Sequence, residues 1–283
     1  MLEQVRRALS AKQLRHKLRV KAIEIVADAV APIRVQIDDL QRQVDDLGRK
    51  MADEIRHQGD RTVDQTRQLE VRTRRDLVFA GEQEAALQSA NFVRDHMPHA
   101  RQFSHPHKTL EHALSLAPEG GLALEFGVYT GTTLKIIATA REGKDVYGFD
   151  SFEGLPENWR NGFPAGAFNV EGLPEVPGAE LVVGWFDEVL PGFLRSHEGP
   201  VTFLHVDCDL YSSTKTVLEL VGPRLVEGSV IVFDEYFNFP GWQDHEHKAW
   251  SEYVAQTGIE FSYEAFTYDN EQVTMRVTNI PER

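Results

Sequence analysis

Five short apolar runs, Leu122–Phe126, Val146–Phe149, Leu181–Val183, Val201–Val206 and Val230–Phe233, alternate with helical patterns through the second half of the chain. Parallel strands cannot be joined by a tight turn and need a crossover, usually a helix. The alternation therefore predicts an α/β fold with a doubly wound parallel sheet. The last residues read differently, with Glu260–Tyr268 and Gln272–Thr278 as two strands around the turn Asp269-Asn270, so a terminal antiparallel hairpin is expected to close the sheet. A chain of 283 residues leaves room for more than this sheet.

The front of the chain has another texture. From Leu14 to about Leu77 there is one proline and two glycines, and apolar residues recur at helical spacing among many charges. Ile33, Ile37, Leu40, Val44, Leu47 and Met51 follow one another at alternating steps of four and three residues, the a/d seam of a coiled coil. Ile55 arrives one residue late, a stutter, and Gly59 weakens the helical pattern beyond it. Self-association is the expectation; the alternative is an amphipathic helix lying on the chain's own sheet domain. Basic residues from Arg6 to Lys21 would suit an anionic lipid surface or a plain solvated helix face. A second helix is expected over Glu82–His96, then a His- and Pro-bearing segment, Met97–His107, and a short helix, Leu110–Ala117. The expected organisation is a helical coiled-coil oligomerisation region at 1–80, a helical linker or lid at 81–120, and a sheet domain at 121–283.

The formal charge is −14, and it is unevenly spread, because residues 1–80 hold 17 Lys/Arg against 13 Asp/Glu. An acidic sheet domain repels a phosphate backbone, which argues against a nucleic-acid substrate. Cys208 is the one cysteine, so no intrachain disulfide is possible, and Met1 is not followed by a secretory pattern. A cytoplasmic protein is expected. No run approaches the roughly 20 apolar residues of a bilayer crossing.

The strand Leu122–Phe126 runs into a turn with Gly127, Tyr129 and Gly131, and a helix opens at Thr132. Glycines there let a ligand approach the backbone closely. The strand Val146–Phe149 ends in Asp150, whose carboxylate can accept the ribose hydroxyls of a bound nucleoside. Together these suggest an adenosine-bearing cofactor. NAD is disfavoured, since the Gly127/Gly131 spacing is not G-x-G-x-x-G and Glu125 would repel a diphosphate. A sulfonium cation tolerates that carboxylate.

Strand Val201–Val206 runs into Asp207-Cys208-Asp209, and alternation should project Asp207 and Asp209 to one side with Cys208 on the other. Strand Val230–Phe233 ends in Asp234-Glu235, which reach one point if the strand has already become loop. At the carboxyl edge of a doubly wound sheet these acids converge, and a divalent cation would resolve their repulsion. Oxygen ligation indicates Mg²⁺, with Mn²⁺ or Ca²⁺ as alternatives. Helix capping is the other reading, notably for Asp209. His205 reads as a hydrogen-bonded core histidine, and His245 and His247 as rim residues.

Four ordered segments, Tyr147-Gly-Phe-Asp-Ser-Phe-Glu-Gly-Leu-Pro156, Gly184-Trp-Phe-Asp-Glu-Val-Leu-Pro191, His205-Val-Asp-Cys-Asp-Leu-Tyr-Ser-Ser-Thr214 and Val232-Phe-Asp-Glu-Tyr236, resemble the S-adenosylmethionine-dependent sugar O-methyltransferases typified by the macrocin and mycinamicin enzymes. The resemblance covers about residues 121–280. It implies a class I methyltransferase (Rossmann-like) fold in which Asp207, Asp234 and Glu235 hold Mg²⁺ and Asp209 is the general base. It also implies that Glu125, Gly127, Asp150 and Ser151 bind the cofactor, with Phe186 and Asp187 beside the adenine. Glu235 departs from the pattern, where a second aspartate is usual, and the coiled coil lies outside it. The stretch Trp242–Ala249 also resembles the group, with Glu246 near the metal edge.

The expected reaction is transfer of the sulfonium methyl to a hydroxyl of a sugar or glycosylated small molecule, with Asp209 taking the proton. The segment Pro156–Pro177, rich in Gly, Pro and aromatics, would suit a lid. Two rivals are a glycosyltransferase using Asp207-Cys208-Asp209 for a nucleotide-sugar metal, and a non-catalytic coiled-coil scaffold.

Overall fold

The computed structural model describes residues 2–281, with side chains from Leu14 onward. The chain divides into two compact units, Met1–Asp76 and Leu77–Arg283. The first is one helix, α1 (Leu2–Arg75), which runs through Pro32. Pairs three or four residues apart support it along the exposed face, such as Lys50 with Asp46 at 2.8 Å and Arg74 with Glu70 at 2.7 Å. Arg6, Arg7 and Lys12, within the basic run expected to suit an anionic surface, lie outside the described side chains. Among the described residues, no helix is long and apolar enough to cross a membrane.

The second unit opens with α2 (Leu77–His96), β1 (Arg101–Phe103) and α3 (Pro106–Leu116). The alternating section comes next: β2 (Leu122–Phe126), α4 (Thr132–Ala140), β3 (Val146–Asp150), β4 (Glu180–Val183), α5 (Phe186–Ser196), β5 (Val201–Val206), α6 (Tyr211–Val221) and β6 (Leu225–Phe233). It ends with α7 (Glu246–Thr257), β7 (Glu260–Thr267) and β8 (Val273–Asn279). The sheet order is β1-β7-β8-β6-β5-β2-β3-β4, parallel except for β8, which runs antiparallel to both β6 and β7. This is the expected Rossmann-like architecture with its terminal hairpin. Two elements differ from expectation: β1 lies within the segment read as irregular, and β8 inserts between β6 and β7.

Strand alternation divides the core. Leu122, Leu124 and Phe126 of β2 join Leu204 and Val206 of β5 in one cluster with residues of α5, α6 and α7. Ala123, Phe203, Val230 and Val232 face the other way, against Leu110 and Ala113 of α3 and Leu134 and Ile137 of α4. On that second face Glu125 and His205 are direct register partners across β2 and β5, and His205 is the partner of Val232 on β6. The chain reverses its direction of sheet growth between β2 and β5, so a crevice opens at their carboxyl ends.

Candidate active site

A cavity of about 640 Å³ occupies that crevice, lined from the ends of β2, β3, β5 and β6 and the start of α5. Gly127, Tyr129, Asp150, Ser151, Phe186 and Asp187 form part of its wall, and Asp207, Asp209 and Glu235 another part. Both groups singled out in the sequence thus meet in one space.

On the first wall, Gly127 has φ +92 and would carry its Cβ 1.7 Å from the carbonyl oxygen of Asp207, so only glycine lets the ends of β2 and β5 lie this close. Asp150 Oδ2 accepts hydrogen bonds from the backbone N–H of Val128 and Tyr129 at 2.8 and 2.9 Å, and Oδ1 accepts that of Phe152 at 2.7 Å. The carboxylate therefore ties two loops together, and of its roughly four acceptor sites about one remains for a ligand hydroxyl. Gly131 and Thr132 are not on the wall. Gly131 (φ +76) caps α4 and packs tightly on Pro174 and Val176, where its lack of a side chain is a matter of space.

Glu125 is also off the wall. It is fully buried, and His205 Nδ1–H donates to its Oε1 at 2.9 Å, while His205 Nε2 faces Asp234 Oδ1 at 3.5 Å. Burial disfavours the charged imidazole, but Asp234 and Glu125 overcome it and hold His205 well above its usual pKa. The ring thus sits between two acids, which favour its charged form. Burial likewise penalises the Asp234 carboxylate, yet His205 pulls its pKa below the usual value, and Gln272 Nε2 donates to Oδ2 at 3.0 Å.

Beyond β5 the strand alternation is interrupted. Asp209 has φ +62, a left-handed backbone conformation that turns the chain out of the strand direction. Cys208 is buried in the opposite core cluster, its Sγ 3.5 Å from Thr214 Oγ1. β6 has ended at Phe233, so Asp234 and Glu235 belong to the following loop. One ligand atom each from His205, Asp207 and Asp234 lies within 4.8 Å of the others. Asp209 and Glu235 stand outside that trio, on the cavity wall.

Charge in this cluster is only partly compensated, by His205 beside Asp234 and by Arg160. Burial and then repulsion from Asp234 raise Asp207 and Glu235 well above the usual carboxylate range. Burial also raises Asp209 to about 7, although Arg160 opposes the shift. Glu246 is fully buried and raised by burial, its Oε2 accepting the Glu235 N–H at 3.0 Å. Glu235 Oε2 and Glu246 Oε1 are buried with no hydrogen-bond partner. Buried carboxylate oxygens without donors, beside further acids, have the donor chemistry of a hard divalent cation site. His205, already engaged on both ring nitrogens, is poorly suited to ligate.

Several wall residues were not anticipated. Trp159, Arg160, Phe163 and Phe168 come from the 156–177 segment, which forms a hydrogen-bonded loop against the cavity. Leu155 and Ala167 pinch its base through an N–H to carbonyl bond of 2.9 Å. Arg160 stacks on Trp159 at 3.9 Å and donates from Nη1 to both oxygens of Glu271 at 2.9 and 3.0 Å. α2, expected to link or cover, packs on the loop after β6: Ser89 Oγ accepts the Asn238 N–H at 2.8 Å, and Phe92 contacts the rings of Tyr236 and Trp242.

Residues 124–236, which carry both walls, match the family model described as a methyltransferase domain. Over 142 residues the chain is 30% identical to the 8-demethyl-8-(2,3-dimethoxy-alpha-L-rhamnosyl)-tetracenomycin-C 4'-O-methyltransferase of Streptomyces olivaceus, a match covering 41% of this chain and 53% of that protein. The match thus spans about half the length of that curated relative. Among solved structures, CalS11, a calicheamicin methyltransferase, is similar at 21% identity and a TM-score of 0.48, covering 77% of this chain and 92% of that one. The O-methyltransferase NovP is similar at 22% identity and a TM-score of 0.47, covering 61% and 79%. The match to a methyltransferase model does not favour the glycosyltransferase reading of Asp207-Cys208-Asp209.

Proposed function

We propose that the chain is an S-adenosylmethionine-dependent O-methyltransferase acting on a hydroxyl of a sugar or glycosylated small molecule, assisted by Mg²⁺. The observation that carries this reading is the single cavity joining the Gly127/Asp150/Phe186 wall to Asp209. The sugar class is supported by the Streptomyces olivaceus relative, a rhamnosyl 4'-O-methyltransferase.

S-adenosylmethionine supplies an electrophilic methyl on a sulfonium, and a divalent cation supplies positive charge that makes a nearby hydroxyl easier to deprotonate. Asp207 and Asp234, with Glu235 from the wall, would hold that cation; oxygen donors favour Mg²⁺ over softer metals, with Mn²⁺ or Ca²⁺ next. Asp209 is the general base: it lines the cavity beside the carboxylates that would hold the cation. Gly127, Tyr129, Ser151 and the spare lone pair of Asp150 frame the ribose side, with Phe186 and Asp187 at the adenine side. Glu125 acts through His205, fixing the ring that orients Asp234. Trp159, Phe163 and Phe168 give the acceptor an apolar wall and exclude water. Self-association through α1 completes this reading.

Calorimetry with S-adenosylhomocysteine in the presence of Mg²⁺ tests the cofactor half, with micromolar binding expected. Transfer of labelled methyl to a panel of aryl rhamnosides tests the acceptor half. Absence of heat with either S-adenosylhomocysteine or S-adenosylmethionine removes the proposal.

A further inference from the structure

The apolar seam of α1 is longer than the six residues from Ile33 to Met51. Continued backward at the same spacing it takes in Val30, Val26 and Ile23, so every a and d position from Ile23 to Met51 is apolar over four heptads. Ile23, Val30, Ile37, Val44 and Met51 occupy a; Val26, Ile33, Leu40 and Leu47 occupy d. Ile37, Leu40, Val44 and Leu47 are 48%, 59%, 66% and 58% exposed. A helix in water draws little stability from propensity alone and depends on covering its apolar face. Four heptads of uncovered seam, roughly 42 Å long at ~1.5 Å per residue, therefore call for a partner of matching period.

The flanks identify that partner. Acids lie only at outer positions, Glu24, Asp38 and Asp45 at b, Asp39 and Asp46 at c, and Asp28 at f, where Arg42 and Arg49 pair with Asp39 and Asp46 in the same helix. The e and g positions carry no acid: Ala27, Arg34, Gln41 and Gly48 lie at e, and Ala29, Gln36, Gln43 and Lys50 at g, Lys50 being paired with Asp46 of its own helix. In a parallel pair each g residue meets the e residue five positions on in the other copy, Ala29 with Arg34, Gln36 with Gln41 and Gln43 with Gly48, so a second copy meets no like charge across these flanks. Pro32, at c, also faces away from the seam.

We propose that Ile23–Met51 pairs with the same segment of a second copy of this chain as a parallel, in-register, two-stranded coiled coil. In the second half of the seam, β-branched Ile37 and Val44 at a with Leu40 and Leu47 at d is the combination that favours two parallel strands; in the first half Val26 and Ile33 make d β-branched too, so the choice of two strands is carried by Ile37–Leu47. Only the parallel, in-register arrangement sets a against a and d against d, so that Leu40 and Leu47 each meet their own counterpart. This inference rests on the reading of α1 as a self-associating helix, and it is independent of whether the second unit transfers methyl groups.

Light scattering on the full chain is expected to give twice the 32.1 kDa chain mass. Leu40→Glu with Leu47→Glu is expected to return it to a monomer while the thermal transition of the second unit stays in place. A monomeric wild type, a trimer or tetramer, or a dimer that survives the double substitution overturns the proposal. Leu47→Cys reads direction separately. Parallel in-register chains form a reducible covalent dimer on mild oxidation, which the buried Cys208 of the wild type does not. A dimer in which the Leu47→Cys chains fail to cross-link keeps self-association and overturns the parallel arrangement.

Discussion

Asp209 lines the cavity just past β5, beside the carboxylates that would hold the cation, which is where a proton acceptor is needed. Asn at this position keeps the shape and removes the proton-accepting oxygen. Asp209→Asn is therefore expected to lower kcat by about 10²- to 10⁴-fold while S-adenosylhomocysteine affinity changes by less than about twofold. Single-turnover methyl transfer alongside calorimetry measures both, and wild-type kcat in the variant would end the base assignment. The acids of this site were legible in the sequence because each follows a short apolar run, and strand ends at a switch point converge. Glu125 was legible as a carboxylate and misread in role. Its partner His205 is 80 residues away, and only the register of β2 against β5 brings them to 2.9 Å. Periodicity along one strand carries no information about cross-strand register, so the clamp on Asp234 had no local signature. Asp150 was likewise found at its strand end, but its three backbone hydrogen bonds depend on how two loops fold back.

Among the elements, the loop 156–177 owes its place to contacts distant in sequence. Arg160 lies on Trp159, approaches Phe239 at 4.7 Å and pairs with Glu271, 111 residues away in the turn between β7 and β8. The Arg160 and Glu271 side chains are 24% and 17% exposed, so the pair is shielded enough to matter. Arg160→Ala is expected to raise the acceptor KM by about tenfold, the equivalent of ~1.4 kcal/mol, with a smaller change in kcat. Glu271→Ala should do the same, and the double variant should be little worse than either, as for residues acting as one contact. Additive effects, or a change confined to cofactor affinity, would show that the loop is held by other means. The sequence offered Gly, Pro and aromatics here, which mark a loop but not its anchor. β1 was illegible for a related reason. It has three residues, Arg101 and Gln102 are exposed, and pairing with Ala265–Thr267 of β7 alone makes it a strand. Four of the five apolar runs needed no such help, since buried parallel strands are apolar on both faces and announce themselves; β4, at the sheet edge, was found by its apolar Leu181–Val183 alone.

For the whole molecule, the acidic cluster links folding to pH and to divalent cations with a definite sign. A carboxyl whose pKa is raised by folding takes up protons on folding, so its contribution to stability falls as pH rises from its unfolded value toward its folded one. For Asp209 that window runs from about 4 to about 7, and Asp207, Glu235 and Glu246 shift in the same direction. His205, raised by its two acids after burial is overcome, is stabilising below its unfolded pKa of about 6.5 and loses that contribution as pH climbs through its folded value. Asp234 has the opposite sign, but its lowered pKa confines its effect to acid pH, below the range of interest. Between pH 6 and 8 the cluster therefore weakens the chelator-treated protein as pH rises, because the second unit must bury more carboxylate charge than His205 and Arg160 balance. A divalent cation relieves the same repulsion without a proton and binds best when the acids are ionised. Scanning calorimetry in EDTA is expected to show a Tm at least about 3 °C lower at pH 8 than at pH 6, corresponding to ~1 kcal/mol for a unit of this size. Millimolar Mg²⁺ should recover more at pH 8 than at pH 6, whereas Na⁺ at equal ionic strength should recover little. A Tm that rises with pH in EDTA, or a Mg²⁺ effect equal at both pH values, would mean that these carboxylates are already balanced within the fold and have no ion to hold.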